Sequence, residues 1–307
     1  MHGYYKDVVK SMGALKFCPT FLRTYVYNLV TKNGQALHTL FRHMNPIIQS
    51  GCAAWDEEEP LKSITLLYNM IHLSEGSAYW TPDILMQAVV GIWFAASHQP
   101  WVNLHCIFLE LCERPEYTDI LRDELASSED LDYKSLTELP VLDSFAKESA
   151  RLNPLDKMGI RRKALKPYRF ADSGPLIPTG GVVCIPAFEI MHSTSKYTDP
   201  FRFDGHRFVK NGSTAKNDEG CDMRGTKFTD PSRDFPIWGI GSKAWYCSQL
   251  PGRFHASLVM KLAIAHIVKH YEFRLEQPQK RHRWFWETYM MPYESTTILL
   301  RKRDLLG

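Results

Sequence analysis

The 307-residue chain contains no run of about 18 apolar residues, so a membrane-spanning helix is not expected. Its best apolar stretch, Ile84 to Ala96, is too short and carries Gln87. There is no excess of one charge: 37 Lys and Arg stand against 34 Asp and Glu, a net of +3. That balance gives no argument for nucleic acid. The most basic stretch, Lys280-Arg281-His282-Arg283, reads as a solvated loop. No Cys-x-x-Cys pair occurs among Cys18, Cys52, Cys106, Cys112, Cys184, Cys221 and Cys247, and no spacing suits zinc. Seven cysteines are an odd number in a long chain, which fits reduced thiols better than a disulfide scaffold. A phosphate-binding G-x-x-x-x-G-K-[ST] loop is absent, and Gly239-Ile240-Gly241-Ser242 lacks the spacing of a hydrolase G-x-S-x-G elbow. No repeats are present, and the opening His2 to Asp7 is polar and aromatic, unlike a signal peptide.

What remains is a chain that is 44% hydrophobic and 23% charged, ordinary for a folded protein. No composition break divides it, so a single domain over 1–307 is expected. Apolar spacing predicts helices through 1–80, with an acidic exposed connector at 56–62. Thr81-Pro82 is a helix start, with Thr as N-cap, Pro at the first helical position and Asp83 complementing the dipole. The pattern runs to about Glu113, is apolar on most sides between Ile84 and Phe94, and should cross the core with a kink at Pro100. Further helices are expected at 117–126 and 135–152. Short strands follow from Ile160 to Pro186, and a polar, Gly-rich surface loop at 211–234. A helix is expected over 253–271, with Phe254, Leu258, Leu262, Ala265, Val268 and Tyr271 on its apolar face. The tail from Phe285 to Lys302 is strand-like. The class is mainly α with a small β component.

Two constellations carry chemistry. Glu148 and Arg151, at i and i+3, share one helix face. Phe203-Asp-Gly-His-Arg207-Phe208 offers a second Arg that completes a Glu–Arg–Arg cluster, one carboxylate bridged by two guanidinium groups. The second is Phe235-Pro-Ile-Trp238-Gly239-Ile-Gly241-Ser-Lys-Ala-Trp-Tyr-Cys247, followed by Pro251-Gly-Arg-Phe-His-Ala256. Glycines let a loop approach a flat ligand. A cysteine ahead of a helix N-terminus has its thiolate favoured and is able to ligate haem iron. An inert cysteine in a glycine-rich turn is the other reading of the loop by itself.

In order from the long helix to the end, these residues together resemble the cytochrome P450 family, the haem-thiolate monooxygenases. The resemblance covers that family's C-terminal half to three-fifths and implies a P450-like helical fold, incomplete at the N-terminus. The regions are then 1–80 before the long helix, 81–113 the long helix, 135–252 the ion-network helix, small sheet and haem loop, and 253–307 the last helix and strands. The resemblance implies haem as cofactor, with Cys247 as the axial thiolate. It implies that Trp238, Gly239 and Gly241 open the haem loop and that Glu148, Arg151 and Arg207 form the ion network. Arg161 (with Arg162 as the fallback) and Lys243 fall where haem propionates are held. His98 and Gln99 replace the acid or amide and Thr that help deliver protons to oxygen. Leu155–Ile160 and Met290–Tyr293 match substrate-contacting regions; His192 and Lys196–Pro200 match scaffold.

The pattern departs from the family in three places besides Trp at 238. The chain is short, lacking the N-terminal part that would carry the anchor and much of the outer sheet. His98-Gln99 is unusual. The haem-loop spacing puts the cysteine at 245, where Trp245 stands; replacing Trp245 to Leu250 by one Cys restores the pattern, an insertion that a tight ligand loop feels. The style of Trp93-Phe-Ala-Ala-Ser-His-Gln99 resembles fungal members acting on secondary metabolites. The implied activity inserts one oxygen atom from O2 into an apolar secondary metabolite, a terpenoid by that resemblance. Electrons would come from NADPH–cytochrome P450 reductase. Such enzymes are usually anchored to the endoplasmic reticulum, which leaves localisation open here. The alternative expectation is an inactive, truncated or mis-spliced remnant that binds no haem.

Overall fold

The computed structural model describes residues 2–53, 66–74, 77–127, 131–171, 173–209, 227–239, 252–280 and 282–304. They group into two compact units, 1–97 and 98–307. In the first, α1 (His2–Lys16), α2 (Arg23–Val30), α3 (Gln35–Ala53) and α4 (Leu66–Ser74) precede α5 (Pro82–Glu113). Ile48, Ile71, Leu85 and Met86 form this unit's small core. The start of α5 follows its chemistry: Thr81 Oγ1 accepts the Ile84 N–H at 3.4 Å, and Asp83 lies in the first turn. The helix runs on through Pro100.

The expectation that α5 is buried between Ile84 and Phe94 is corrected. Leu85, Met86 and Val90 are buried, but Ile92 and Trp93 are 42% and 45% exposed. The described residues of this unit cover one face of a helix that is apolar on most sides. The deep stretch of α5 comes later, from Val102 to Leu111.

The second unit packs α6 (Glu116–Ala126), α8 (Pro140–Leu152) and α10 (Gly252–His270) on that later stretch. Ile107, Leu121, Leu142, Phe145, Met260, Ile264 and Val268 are fully buried there. Each such side chain contributes about 1.5–3 kcal/mol by leaving water. The helix expected at 135–152 is two: α7 (Tyr133–Thr137) and α8. Pro140 causes the break, because it holds Leu139 in extended backbone and then opens α8 at its first turn. Leu139 has no capping side chain. Glu124 of α6 supplies one from outside, accepting the N–H groups of Val141 and Leu142 at 2.7 and 2.8 Å.

The strands are short and antiparallel. β1 (Met158–Lys163) pairs with β4 (Val182–Pro186), and β2 (Tyr168–Arg169) with β3 (Leu176–Ile177). A short helix, α9 (Ala187–Met191), follows β4. β6 (Arg283–Trp286) and β7 (Tyr289–Pro292) form a hairpin. The last helix stops one residue earlier than its apolar face suggests. Tyr271 begins β5 (Tyr271–Leu275), which pairs with β8 (Ile298–Lys302). The loop expected at 211–234 lies mostly outside the described residues; its end, from Lys227, is turn and coil.

Candidate functional site

Ten consecutive residues of α8, Leu142 to Arg151, are buried. Asp143, Ser144, Lys147, Glu148 and Arg151 are among them, so each needs partners inside the protein. Arg151 grips Glu148 with two bonds, Nε to Oε2 at 2.7 Å and Nη2 to Oε1 at 2.8 Å. Arg207 Nε donates to both carboxylate oxygens at 3.1 Å, and the Asp204 N–H adds a bond to Oε1 at 3.1 Å. The remaining donors reach main-chain carbonyls. Arg151 Nη1 bonds Met191 and Pro200, each at 2.7 Å, and Arg207 bonds Thr198 at 2.7 Å and Arg202 at 3.0 Å. Tyr197 lies under the Arg151 guanidinium at 4.9 Å. The Glu148–Arg151–Arg207 cluster thus folds coil 191–207 onto α8.

One turn earlier, α8 holds a second coil. Asp143 Oδ2 accepts the Phe228 N–H at 2.6 Å and Oδ1 pairs with Lys261 of α10. Lys147 Nζ donates to Lys227 O at 3.0 Å and sits over the rings of Phe208 and Phe235, at 4.6 and 5.0 Å. Burial lowers the Lys147 pKa to about 8, against the pull of Asp230 and Asp143. Ser144 Oγ accepts the Phe208 N–H at 3.0 Å. None of these three residues stood out in the sequence, where a lysine beside a glutamate on a helix reads as solvent-facing.

The coil they hold carries Trp238, which is 1% exposed. Its indole N–H donates to Phe228 O, a bond that phenylalanine at this position would lack. Gly239 follows at φ +83°, a backbone conformation favouring glycine. Pro236, Ile237, Trp238 and Gly239 form one wall of a cavity of about 230 Å³. Gln99 of α5, Ala187, and Leu155, Asp156, Gly159, Ile160 and Arg162 complete it.

Both segments expected to touch substrate meet beside this cavity: the Met290 N–H donates to Leu155 O at 2.9 Å, and Asp156 bridges to Tyr289. Gln99 is on the wall, whereas His98 is not among the lining residues, as expected for neighbours about 100° apart around a helix. Burial lowers the His98 pKa and favours its neutral form.

Arg161 points elsewhere. Its guanidinium bonds Asp156 at 2.9 Å, Thr288 at 2.7 Å and Tyr289 at 3.0 Å. Arg162, whose Nη1 donates to Arg161 O at 2.8 Å, lines the cavity instead. The register of β1 shifts between Gly159 and Arg162, with Ile160 at φ +51°, and such a bulge re-aims the side chains around it. His192 is scaffold: its ring stacks on Phe188 at 3.9 Å and its Nδ1 lies 2.8 Å from Phe188 O. Gly241, Lys243, Trp245 and the expected iron ligand Cys247 lie outside the described residues.

The family model for cytochrome P450 matches residues 1–299. The chain belongs to the cytochrome P450 family. Among curated P450 relatives, monooxygenase ltmQ of Epichloe festucae var. lolii is 34% identical over 226 residues, covering 71% of this chain and 40% of that protein. Monooxygenase cheG of Chaetomium globosum is 32% identical over 228 residues, covering 72% and 63%. The chain therefore spans about half the length of the curated relatives it matches. These relatives are fungal P450 monooxygenases. A solved P450, retinoic acid bound cyanobacterial CYP120A1, matches with TM-score 0.69 at 19% identity, over 98% of this chain and 63% of that one. That likeness shows the P450 fold.

Haem is the cofactor of this family. The described residues fit one edge of it: an apolar wall of Pro236, Ile237 and Trp238, a glycine that lets backbone come close, and a cation at Arg162 for a carboxylate. Among the described residues no helix is long and apolar enough to cross a membrane.

Proposed function

We propose that this chain is the haem-binding part of a haem-thiolate monooxygenase acting on an apolar secondary metabolite. The carrying observation is the cavity where Gln99, Arg162, Trp238 and Gly239 meet the substrate-side residues Leu155 and Ile160. Haem held by a Cys247 thiolate supplies the oxygen-activating chemistry. The chain's own residues do the rest. Arg162 would bind one haem carboxylate in place of Arg161, and Lys243 the second. Pro236, Ile237 and Trp238 keep water from the wall. Leu155 and Ile160 offer apolar surface to the substrate. Gln99 would orient a water that carries protons inward, and His98, held in the neutral form by burial, would relay protons through water as well. One oxygen atom of O2 enters a C–H bond and the other leaves as water, using two electrons and two protons. NADPH, through a flavoprotein cytochrome P450 reductase, supplies the electrons. Both compact units belong to one haem-thiolate domain in this reading.

The test compares the chain with Cys247→Ala, each expressed with haem supplied. The unmodified chain should show a thiolate-type ferrous–CO spectrum and the variant should lose it. The same spectrum in both removes Cys247 from the iron. Absence of haem from both favours an inactive remnant.

A further inference from the structure

The family's ion network explains Glu148, Arg151 and Arg207 but leaves the second buried cluster of α8 without a role. Three charged side chains meet there, from two helices. Asp143 and Lys147 come from α8 and Lys261 from α10, and they are 6%, 1% and 2% exposed. Burying three charges to hold two helices together is a poor use of free energy, since apolar residues of like volume do as well or better. Lys261 ties α10 to Asp143 and to Leu136 O of α7, the latter at 3.2 Å, while the two α8 side chains spend polar atoms on a further element. Asp143 accepts the Phe228 N–H and Lys147 donates to Lys227 O, so successive main-chain groups of one coil are read by side chains one helical turn apart.

From that point the connection to the cavity is short and continuous. Phe228 O accepts the Trp238 indole N–H, and the two rings pack edge to face at 5.1 Å. Phe235, beneath Lys147, lies 6.4 Å from both Phe208 and Phe228. A separate tie, from the Tyr197 hydroxyl to Asp234 O at 2.8 Å, fixes the middle of the coil. The coil then ends at Pro236–Gly239, the cavity wall.

We propose that Asp143 is a positioning residue: with Lys147 and Lys261 it fixes coil 227–239 on α8 and so sets where Trp238 and Gly239 stand in the cavity wall. Asp143 touches neither the cavity nor a bound group; it acts through Phe228 and Trp238. Among the described residues its carboxylate faces both lysines, Lys147 together with Asp230 and Lys261 together with Glu124, so the arrangement depends on its charge as well as its shape. The reading of that wall as the haem side rests on the proposed function; the positioning itself does not.

Hydrogen exchange of the full chain, with no haem added, tests this. Asp143→Asn keeps the shape and an acceptor for Phe228 but leaves two buried lysines without their shared counter-charge. Exchange should speed by roughly tenfold or more in peptides spanning 227–239, with α5 and α6 unchanged. Asp143→Asn/Lys261→Met removes one lysine along with the charge and should restore much of the protection, which a packing defect would not allow. Protection of 227–239 unchanged in Asp143→Asn overturns the proposal. So does an equal loss in every helix, an absence of rescue, or a failure of both variants to fold. Haem uptake is then read separately by absorbance: a chain that takes up no haem yet shows local loss and rescue refutes the haem reading and leaves the positioning intact.

Discussion

At the C-terminal end of α8, Glu148 is held by two guanidinium groups, one of them through paired bonds, and the surplus donors end on carbonyls of coil 191–207. One turn earlier, Asp143 is shared by an amide N–H and an ammonium group, while a second lysine bonds the neighbouring carbonyl. The first cluster is rigid because planar forks match a carboxylate in direction as well as charge. The second uses point charges on flexible stems, so its geometry depends on how well the surrounding rings and backbone hold them. The two therefore do different work: one locks a scaffold coil, the other places a cavity wall.

The largest effect expected from breaking this contrast is at Glu148. Glu148→Gln leaves the buried Arg151 guanidinium and the part-buried Arg207 guanidinium without a counter-charge, which costs about 3–5 kcal/mol. That is a large share of a typical domain's stability of about 5–15 kcal/mol. Denaturant melts should show a much lower midpoint or no folded baseline; an unchanged midpoint would refute the scaffold role. Asp143→Asn should cost less, because the amide still accepts from Phe228, and its signature is local.

Lys147 gives a pH dependence. Burial pushes its pKa in the folded chain down to about 8, below the ordinary lysine value of 10.5. Between those values the unfolded chain binds more protons, so stability rises with pH across that window. Lys147→Met should flatten the rise in melts taken from pH 7.5 to 10; the same slope in both chains would place the titration elsewhere. Trp238→Phe keeps the ring and loses the indole donor to Phe228 O. The expected cost is about 1 kcal/mol, a typical net hydrogen bond. A loss several times larger would mean that the indole does more than tie the coil.

The same contrast explains what could be read from the residues alone. Glu148 and Arg151 are visible as a pair because helical spacing places them on one face. Arg207 is visible because it sits in a compact aromatic motif. Asp143 and Lys147 are not, since their partners are main-chain groups of a coil about 80 residues on, and a backbone N–H or carbonyl carries no sequence signal. The choice between Arg161 and Arg162 turns on a β-bulge, which counting from Arg151 does not register. The mainly helical class and the long helix were clear from periodicity. The exposure of Ile92 and Trp93 was not, because periodicity reports an apolar side chain but not what covers it. The expected single helix over 135–152 missed the break before α8, which Leu139-Pro140 marks and the apolar pattern on both sides hides.

The most direct test of the cavity as the haem side is a haem titration of Arg162→Gln beside Arg161→Gln, followed by absorbance. Arg162 lines the cavity and Arg161 is occupied by Asp156, Thr288 and Tyr289. Loss of a charge-assisted bond predicts haem affinity weakened roughly tenfold or more in Arg162→Gln, with Arg161→Gln close to the unmodified chain. The reverse order, or equal affinity in all three, would contradict the assignment.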